Sequence, residues 1–362
     1  MDHRSLKRLA FYMESPFHDA MMVPIFNELK DQFDCLLTSS LEEIIEHDPA
    51  AVFVASKFKK VLRRSLPRSF IIWTRHGFSS KNWAAQSIKR CDIACVSSEW
   101  QKQEFKKRGH SPKLGFWVTG FPPMDSVFRN MLEDGIPEKG KTILYAPTFD
   151  KNLSAFPVLG TGWIKQVLLD IPESEILIKL HPHTVHYNPR WIEEINDISM
   201  VTPQIKVLDP QSNIFNIMHR ADILVADLSS VALAFLVLDR PIVLVSNPNR
   251  FKDKKYDPEG PESRWRDLGV EVSEPSELLS ALRKCLEDPS IMRKERQLYR
   301  ELLFGDRFDG LSSKRIAAKI QELLSDSPEQ SLEIKRMKRR KAFNAAFDQA
   351  RLKLKGFIRG KV

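Results

Sequence analysis

At 362 residues, 42% apolar and 28% charged, the chain has the composition of a soluble globular protein too long for one compact core, which points to two domains and an appendage. No apolar run approaches the roughly 20 residues of a membrane span, and the start, MDHRSLKRLAFYM, lacks the apolar segment and small-residue cleavage site of an export signal. The formal charge of +9 is concentrated: Ser331 to Val362 holds eleven Lys or Arg against two acids, so the remaining body is neutral and the high pI says nothing of its ligand.

In chain order, RLAFYM (Arg8–Met13), DCLL (Asp34–Leu37), AVFVA (Ala51–Ala55), SFIIWT (Ser69–Thr74) and DIACV (Asp92–Val96) are short apolar or β-branched runs of strand length. Amphipathic pieces such as MMVPIFNELKDQF lie between them. Continuous apolar strands alternating with helices predict a parallel sheet covered on both faces. Cys91 and Cys95 in this apolar context read as buried free thiols. With Cys35 and Cys285 they indicate a reducing, cytoplasmic setting. FWVTGFPPMD (Phe116–Asp125) reads as the close of this domain, and EDGIPEKGK (Glu133–Lys141) as a linker.

The alternation then restarts with TILYAP, EILIKL, IKVL, DILVA, PIVLV and GVEV between Thr142 and Val272. The expected fold class is therefore α/β, two Rossmann-like domains facing across a cleft. The expected boundaries are 1–135, 141–326 and a basic amphipathic tail over 331–362. Ligands in such sheets sit beyond the carboxyl ends of the strands.

Several of those ends carry chemistry. IIWT runs into Arg75–His76–Gly77 and on to Lys81; ILYAP ends in Thr148; ILIKL, with Lys179 inside it, ends in His181; ILVA ends in Asp227–Leu228–Ser229–Ser230. Each has a plain structural reading. His76 and His181 can be turn residues, Ser229 or Ser230 a helix cap, Thr148 a loop hydroxyl and Lys179 a solvated edge residue. Two hydroxyls at a helix start also suit a phosphate. Pro182 and Pro189 argue against one helix presenting His181, His183 and His186 together, so no metal is expected.

YAPTF (Tyr145–Phe149), IKLHP (Ile178–Pro182), ADILVADLSSVALAFLVLDRPIVLV (Ala221–Val245), FDGLSSKRIAAKI (Phe308–Ile320) and HGFSSK (His76–Lys81) together resemble the CDP-glycerol glycerophosphotransferase family of teichoic-acid primases and polymerases, which has the GT-B fold. The resemblance runs from about Arg75 to Leu324. It departs from the family's usual pattern at Ser79, Asp150, Leu228 and Ala234.

The resemblance implies attack of an acceptor hydroxyl on the β-phosphorus of a CDP-glycerol-like donor, with release of CMP and no cofactor. It implies His76 as base, His181 steadying the phosphate or leaving group, and Thr148, Lys179, Ser229, Ser230 and Arg315 binding nucleotide or phosphate. Asp227 would orient the turn, since a carboxylate repels an anion, and Lys81 would meet the acceptor.

In the tail, Phe343, Phe347, Ala350, Leu354, Phe357 and Ile358 form an apolar stripe, with Lys341, Arg351, Lys353, Lys355 and Arg359 beside it. This pattern fits an anionic membrane, where a lipid-linked acceptor would lie, and thus a peripheral position on the inner face of the cell membrane. Packing of the stripe on the N-terminal domain is the other reading; no specific nucleic acid is expected. The alternative functions are a nucleotide-sugar glycosyltransferase or UDP-sugar epimerase-like enzyme, and an inactive membrane scaffold.

Overall fold

The computed structural model describes residues 6–56, 60–75, 77–78, 86–133, 141–307 and 309–359. Two six-stranded sheets, parallel throughout, form the frame. The first comprises β1 (Arg8–Tyr12), β2 (Asp34–Thr38), β3 (Ala51–Val54), β4 (Phe70–Trp73), β5 (Ile93–Val96) and β6 (Gly115–Val118), in the order β2-β1-β3-β4-β5-β6. The second comprises β7 (Lys141–Tyr145), β8 (Ser174–Ile178), β9 (Ile205–Val207), β10 (Ile223–Ala226), β11 (Ile242–Val245) and β12 (Val270–Val272), in the order β12-β11-β10-β7-β8-β9. This bears out the expected α/β class.

The apolar runs become strands because they are covered on both faces. Val52, Ile71 and Ala94 are buried in the first sheet, as are Ile143, Ile176, Ile223 and Val243 in the second. Helices start where side chains can satisfy free backbone donors: Ser40 accepts from the N–H of Glu43, Ser98 from that of Gln101, and Glu274 and Glu277 form a capping box before Pro275–Glu287. One strand was not anticipated. Gly115–Val118 reads as a domain end because Gly and two prolines follow, yet it pairs with β5 in register Ala94↔Phe116.

The chain divides into two compact units, one of Met1–His76, Ala84–Pro122 and Leu311–Val362, the other of Gly77–Trp83 and Pro123–Gly310. The expected boundaries are crossed by Gly77–Trp83 and by the helix from Pro123, which fall in the second unit, and by the chain from Leu311, which returns to the first. The helix Pro123–Glu133 packs on the turns Ile214–Asn216 and Met218–Arg220 of the second unit, and Asn130 Nδ2 donates to the Asn216 carbonyl. The helix Ser312–Leu324 buries Ile316, Ile320 and Leu323 and packs against Asp19–Leu29 of the first. An amphipathic helix needs an apolar partner, and chain order does not say which domain supplies it.

The last helix, Leu332–Arg359, also belongs to the first unit. Ile334, Met337, Lys341 and Ala345 are buried, and Met337 Cε lies against Gly115, where an added Cβ would sit 3.0 Å away. Lys341 therefore departs from the solvated basic face expected of it. Its Nζ donates to Asp92 Oδ2 at 2.9 Å, an oxygen that also receives Arg63 Nη2 at 2.6 Å and the N–H of Ile71 at 2.8 Å. Phe343 and Phe347, by contrast, are 72% and 62% exposed. The side chains of Arg351, Lys353, Leu354, Lys355, Phe357, Ile358 and Arg359 lie outside the described residues. Among the described residues, no helix is long and apolar enough to cross a membrane.

Candidate active site

The second sheet reverses its strand order between β7 and β10, so the chain leaves these two adjacent strands in opposite directions and opens a crevice at their carboxyl ends. Asp227, one residue past β10, lies at that switch point and is 1% exposed. Its Oδ2 accepts from the backbone N–H of Thr148, past the end of β7, and from that of Ala155, both at 2.8 Å. Asp227 thus ties the YAPT loop to the DLSS turn. Leu228 and Ala234, two departures from the family pattern, are buried apolar residues of this segment.

Ser229 occupies the cap position of the six-residue helix Ser230–Phe235 in extended backbone (φ −123°, ψ 154°), but its hydroxyl makes no capping hydrogen bond. That Oγ is buried without a hydrogen-bond partner among the described residues. Capping therefore does not account for it. Ser230 is half-buried and faces Gly77: a Cβ built on Gly77 would lie 2.9 Å from Ser230 Oγ. A methyl group there would displace the Ser230 hydroxyl. Phe78 next to it is buried, edge-to-face with Phe304 at 5.1 Å, which anchors the segment following His76 on the second unit.

Beyond β8, the N–H of His183 donates to His181 Nδ1 at 3.1 Å. An acceptor nitrogen carries no proton, so the neutral imidazole is the Nε2–H tautomer and offers a donor at Nε2. The Phe149 ring lies 4.7 Å from His181, 5.0 Å from His183 and 5.3 Å from Tyr187, and Asn188 Nδ2 donates to the Phe149 carbonyl. Lys255 Nζ sits over the same ring at 5.2 Å and donates to Asp150 Oδ2 at 2.7 Å. Burial, seconded by His186 and Lys255, lowers the pKa of His183.

The structure thus brings Thr148, His181, Asp227, Ser229 and Ser230 to the carboxyl edge of one sheet. Lys179 is on that sheet but buried, and its ammonium donates to the carbonyls of Pro210 at 2.8 Å and Leu180 at 3.1 Å. It braces the loops after β8 and β9, and burial pushes its pKa down to about 8. Arg315 lies in the other compact unit, on Ser312–Leu324. His76 and Lys81 lie outside the described residues.

Sequence reasoning missed Arg266, whose guanidinium lies between the ends of β10, β11 and β12. The signal available was Ser246–Asn247 following PIVLV as Asp227 follows ILVA. Asn247 Nδ2 donates to the carbonyls of Lys151 and Ser154, so it too binds the YAPT loop.

Two parallel-sheet α/β units, one with polar groups gathered at its switch point, define the class of doubly wound proteins that hold ligands at strand ends. Residues 70–322 match the family described as CDP-Glycerol:Poly(glycerophosphate) glycerophosphotransferase, and the chain belongs to that family. It is 30% identical over 163 residues to the teichoic acid glycerol-phosphate primase of Bacillus subtilis (strain 168). That match covers 42% of this chain, which spans 39% of the relative's length. The fold is similar to that of the wall teichoic acid polymerase TagF, with a TM-score of 0.65, 14% identity, and coverage of 87% of this chain and 88% of the other. It is also similar to that of a putative UDP-N-acetylglucosamine 2-epimerase from Listeria monocytogenes, with a TM-score of 0.58, 14% identity, and coverage of 90% and 99%.

Proposed function

We propose that the protein transfers glycerol phosphate, or a related phosphopolyol, from a CDP-activated donor to a hydroxyl of a membrane-associated, lipid-linked acceptor, releasing CMP. The observation that carries this reading is the switch point itself. There a buried serine hydroxyl without a hydrogen-bond partner among the described residues lies on the turn that Asp227 holds, and a histidine with its proton on Nε2 follows the end of β8 on the same sheet.

In this reading the diphosphate takes hydrogen bonds from Ser229, Ser230 and Thr148, and His181 Nε2–H donates to the phosphate that becomes CMP. The acceptor oxygen attacks the β-phosphorus and forms the new P–O bond, while the bond to the bridging oxygen breaks and CMP leaves with the electron pair. The acceptor's proton passes to His76, which immediately precedes Gly77. Fixed donors aimed at the developing negative charge lower the barrier because they need no reorganisation during the reaction. Arg315 and Lys81 are carried as phosphate and acceptor contacts by the family motifs, and Lys179 as a brace for the site's loops.

The C-terminal helix supports a peripheral membrane position. Its inner face is already satisfied by Ile334, Met337, Lys341 and Ala345, while Phe343 and Phe347 face outward with exposed Arg336, Arg339 and Arg340 near them. Cationic and aromatic side chains on one surface suit anionic lipid headgroups.

The test is CMP release from CDP-glycerol by purified protein with a lipid-linked acceptor, beside H76A. Release that needs both acceptor and His76 supports the reading. Absence of release with turnover of a UDP-sugar overturns it in favour of an epimerase or glycosyltransferase. Cellular function that survives H76A and H181A together points to a scaffold.

A further inference from the structure

The donor site is read from groups on β7, β8 and β10, yet its turn is also held from the opposite side. Arg266 Nε donates to Glu271 Oε1 at 3.0 Å, Nη2 to Ser246 Oγ at 3.2 Å, and Nη1 points to the Asp227 carbonyl at 3.5 Å. Ser246 in turn donates to Glu271, closing a triangle. One guanidinium thus spans the ends of three neighbouring strands, with its side chain 16% exposed.

The chain uses three separate devices to deliver it. Trp265 stacks on Tyr299 at 4.4 Å, Tyr299 Oη donates to Asp267 at 2.7 Å, and Gly269 passes β11 so closely that a Cβ would lie 2.3 Å from the Ile242 carbonyl oxygen. These fix the segment on both sides of Arg266. The charged groups facing the guanidinium are Glu271, Asp227 and, with like charge, Arg250.

We infer that Arg266 is a positioning residue for the Asp227–Ser230 turn, holding the Asp227 carbonyl from the β11–β12 side while the Asp227 carboxylate is held from the β7 side. The inference rests on the reading of that turn as the donor-phosphate site. Only a planar, multidentate cation can reach three acceptors on three strands at once, so lysine would not substitute. The competing role is simpler: Arg266 neutralises Glu271 and nothing more.

The two roles separate in the variants R266M, R266K and R266M/E271Q. Removing both charges leaves no carboxylate at position 271 to neutralise, and the Asp227 carboxylate keeps the N–H groups of Thr148 and Ala155, so the double variant is expected to recover the wild-type melting temperature. If Arg266 positions the turn, amide hydrogen exchange of ligand-free protein over residues 228–231 remains about tenfold or more faster than wild type in that recovered variant. CDP-glycerol affinity by calorimetry then stays about tenfold weaker, and R266K restores stability but neither of these readouts.

Wild-type exchange and affinity in R266M/E271Q would overturn the inference. Should the wild type itself fail to bind CDP-glycerol, the donor reading falls. The exchange experiment on ligand-free protein still decides whether Arg266 positions the turn.

Discussion

The carboxylate of Asp227 accepts the backbone N–H of Thr148 at 2.8 Å across the point where the second sheet reverses its strand order. The same oxygen accepts the N–H of Ala155, so one buried side chain fixes the geometry of the whole YAPT loop. Replacing it by alanine leaves two buried donors unsatisfied, at a cost of about 1–3 kcal/mol each. D227A is expected to lower the urea midpoint sharply and to abolish activity. D227N keeps an acceptor oxygen and is expected to retain most of the stability. Equal midpoints for D227A and wild type would remove Asp227 from this role.

His181 accepts at Nδ1, so its proton belongs on Nε2. Nitrogen NMR of labelled protein should show a protonated Nε2 and a bare Nδ1 in the neutral ring. H181A should lower kcat by about 100-fold or more if that N–H meets the leaving phosphate. A kcat near wild type would leave His181 a turn residue.

A Cβ on Gly77 would lie 2.9 Å from Ser230 Oγ. The added methyl of G77A must push the Ser230 hydroxyl or the backbone following His76 out of place. A displacement of this kind costs about 10- to 100-fold in kcat/KM, with little effect on the cores of either unit. Steady-state kinetics together with a melting curve checks both halves of that statement.

Asp92 and Lys341 should respond unequally to mutation. D92A strands two cations and the N–H of Ile71, and a broken buried pair costs about 3–5 kcal/mol. K341M leaves Asp92 still paired with Arg63 and should change stability by only about 1 kcal/mol in either direction. Burial, against the opposing pull of Asp92, holds the Lys341 pKa down to about 8 from 10.5. Between those values the unfolded chain keeps a proton that the native protein has lost, so this lysine makes stability rise with pH across that window. Relative to K341M, wild type should gain stability between about pH 8 and pH 10 in urea titrations.

Phe343 and Phe347 are exposed, so F343S/F347S should leave the melting temperature unchanged. The wild type is expected to float with phosphatidylglycerol vesicles, and the variant is expected to lose that flotation. Flotation equal to wild type would place membrane contact elsewhere or nowhere.

Two parallel sheets were legible in the amino-acid sequence because a strand buried on both faces must be apolar throughout, and ILVA, PIVLV and FIIW are. The strand-end chemistry was legible for the same reason: Thr148, His181, Asp227 and the two serines stand out where such runs stop, and the carboxyl edge of a parallel sheet is where those residues gather. The motifs around them also carried the family.

Only the tertiary structure decided what each polar group does. Lys179 is a cation at a strand end like any other until the Pro210 and Leu180 carbonyls are seen to accept hydrogen bonds from its ammonium. Lys341 sits among basic residues in the sequence, yet the inner face of its helix carries it to Asp92, about 250 positions away in the chain. Arg266 has no local pattern, because its three acceptors come from three strands. Local periodicity encodes which residues are buried; the partner of a buried charge is set by packing between segments distant in the chain, and no local pattern records it.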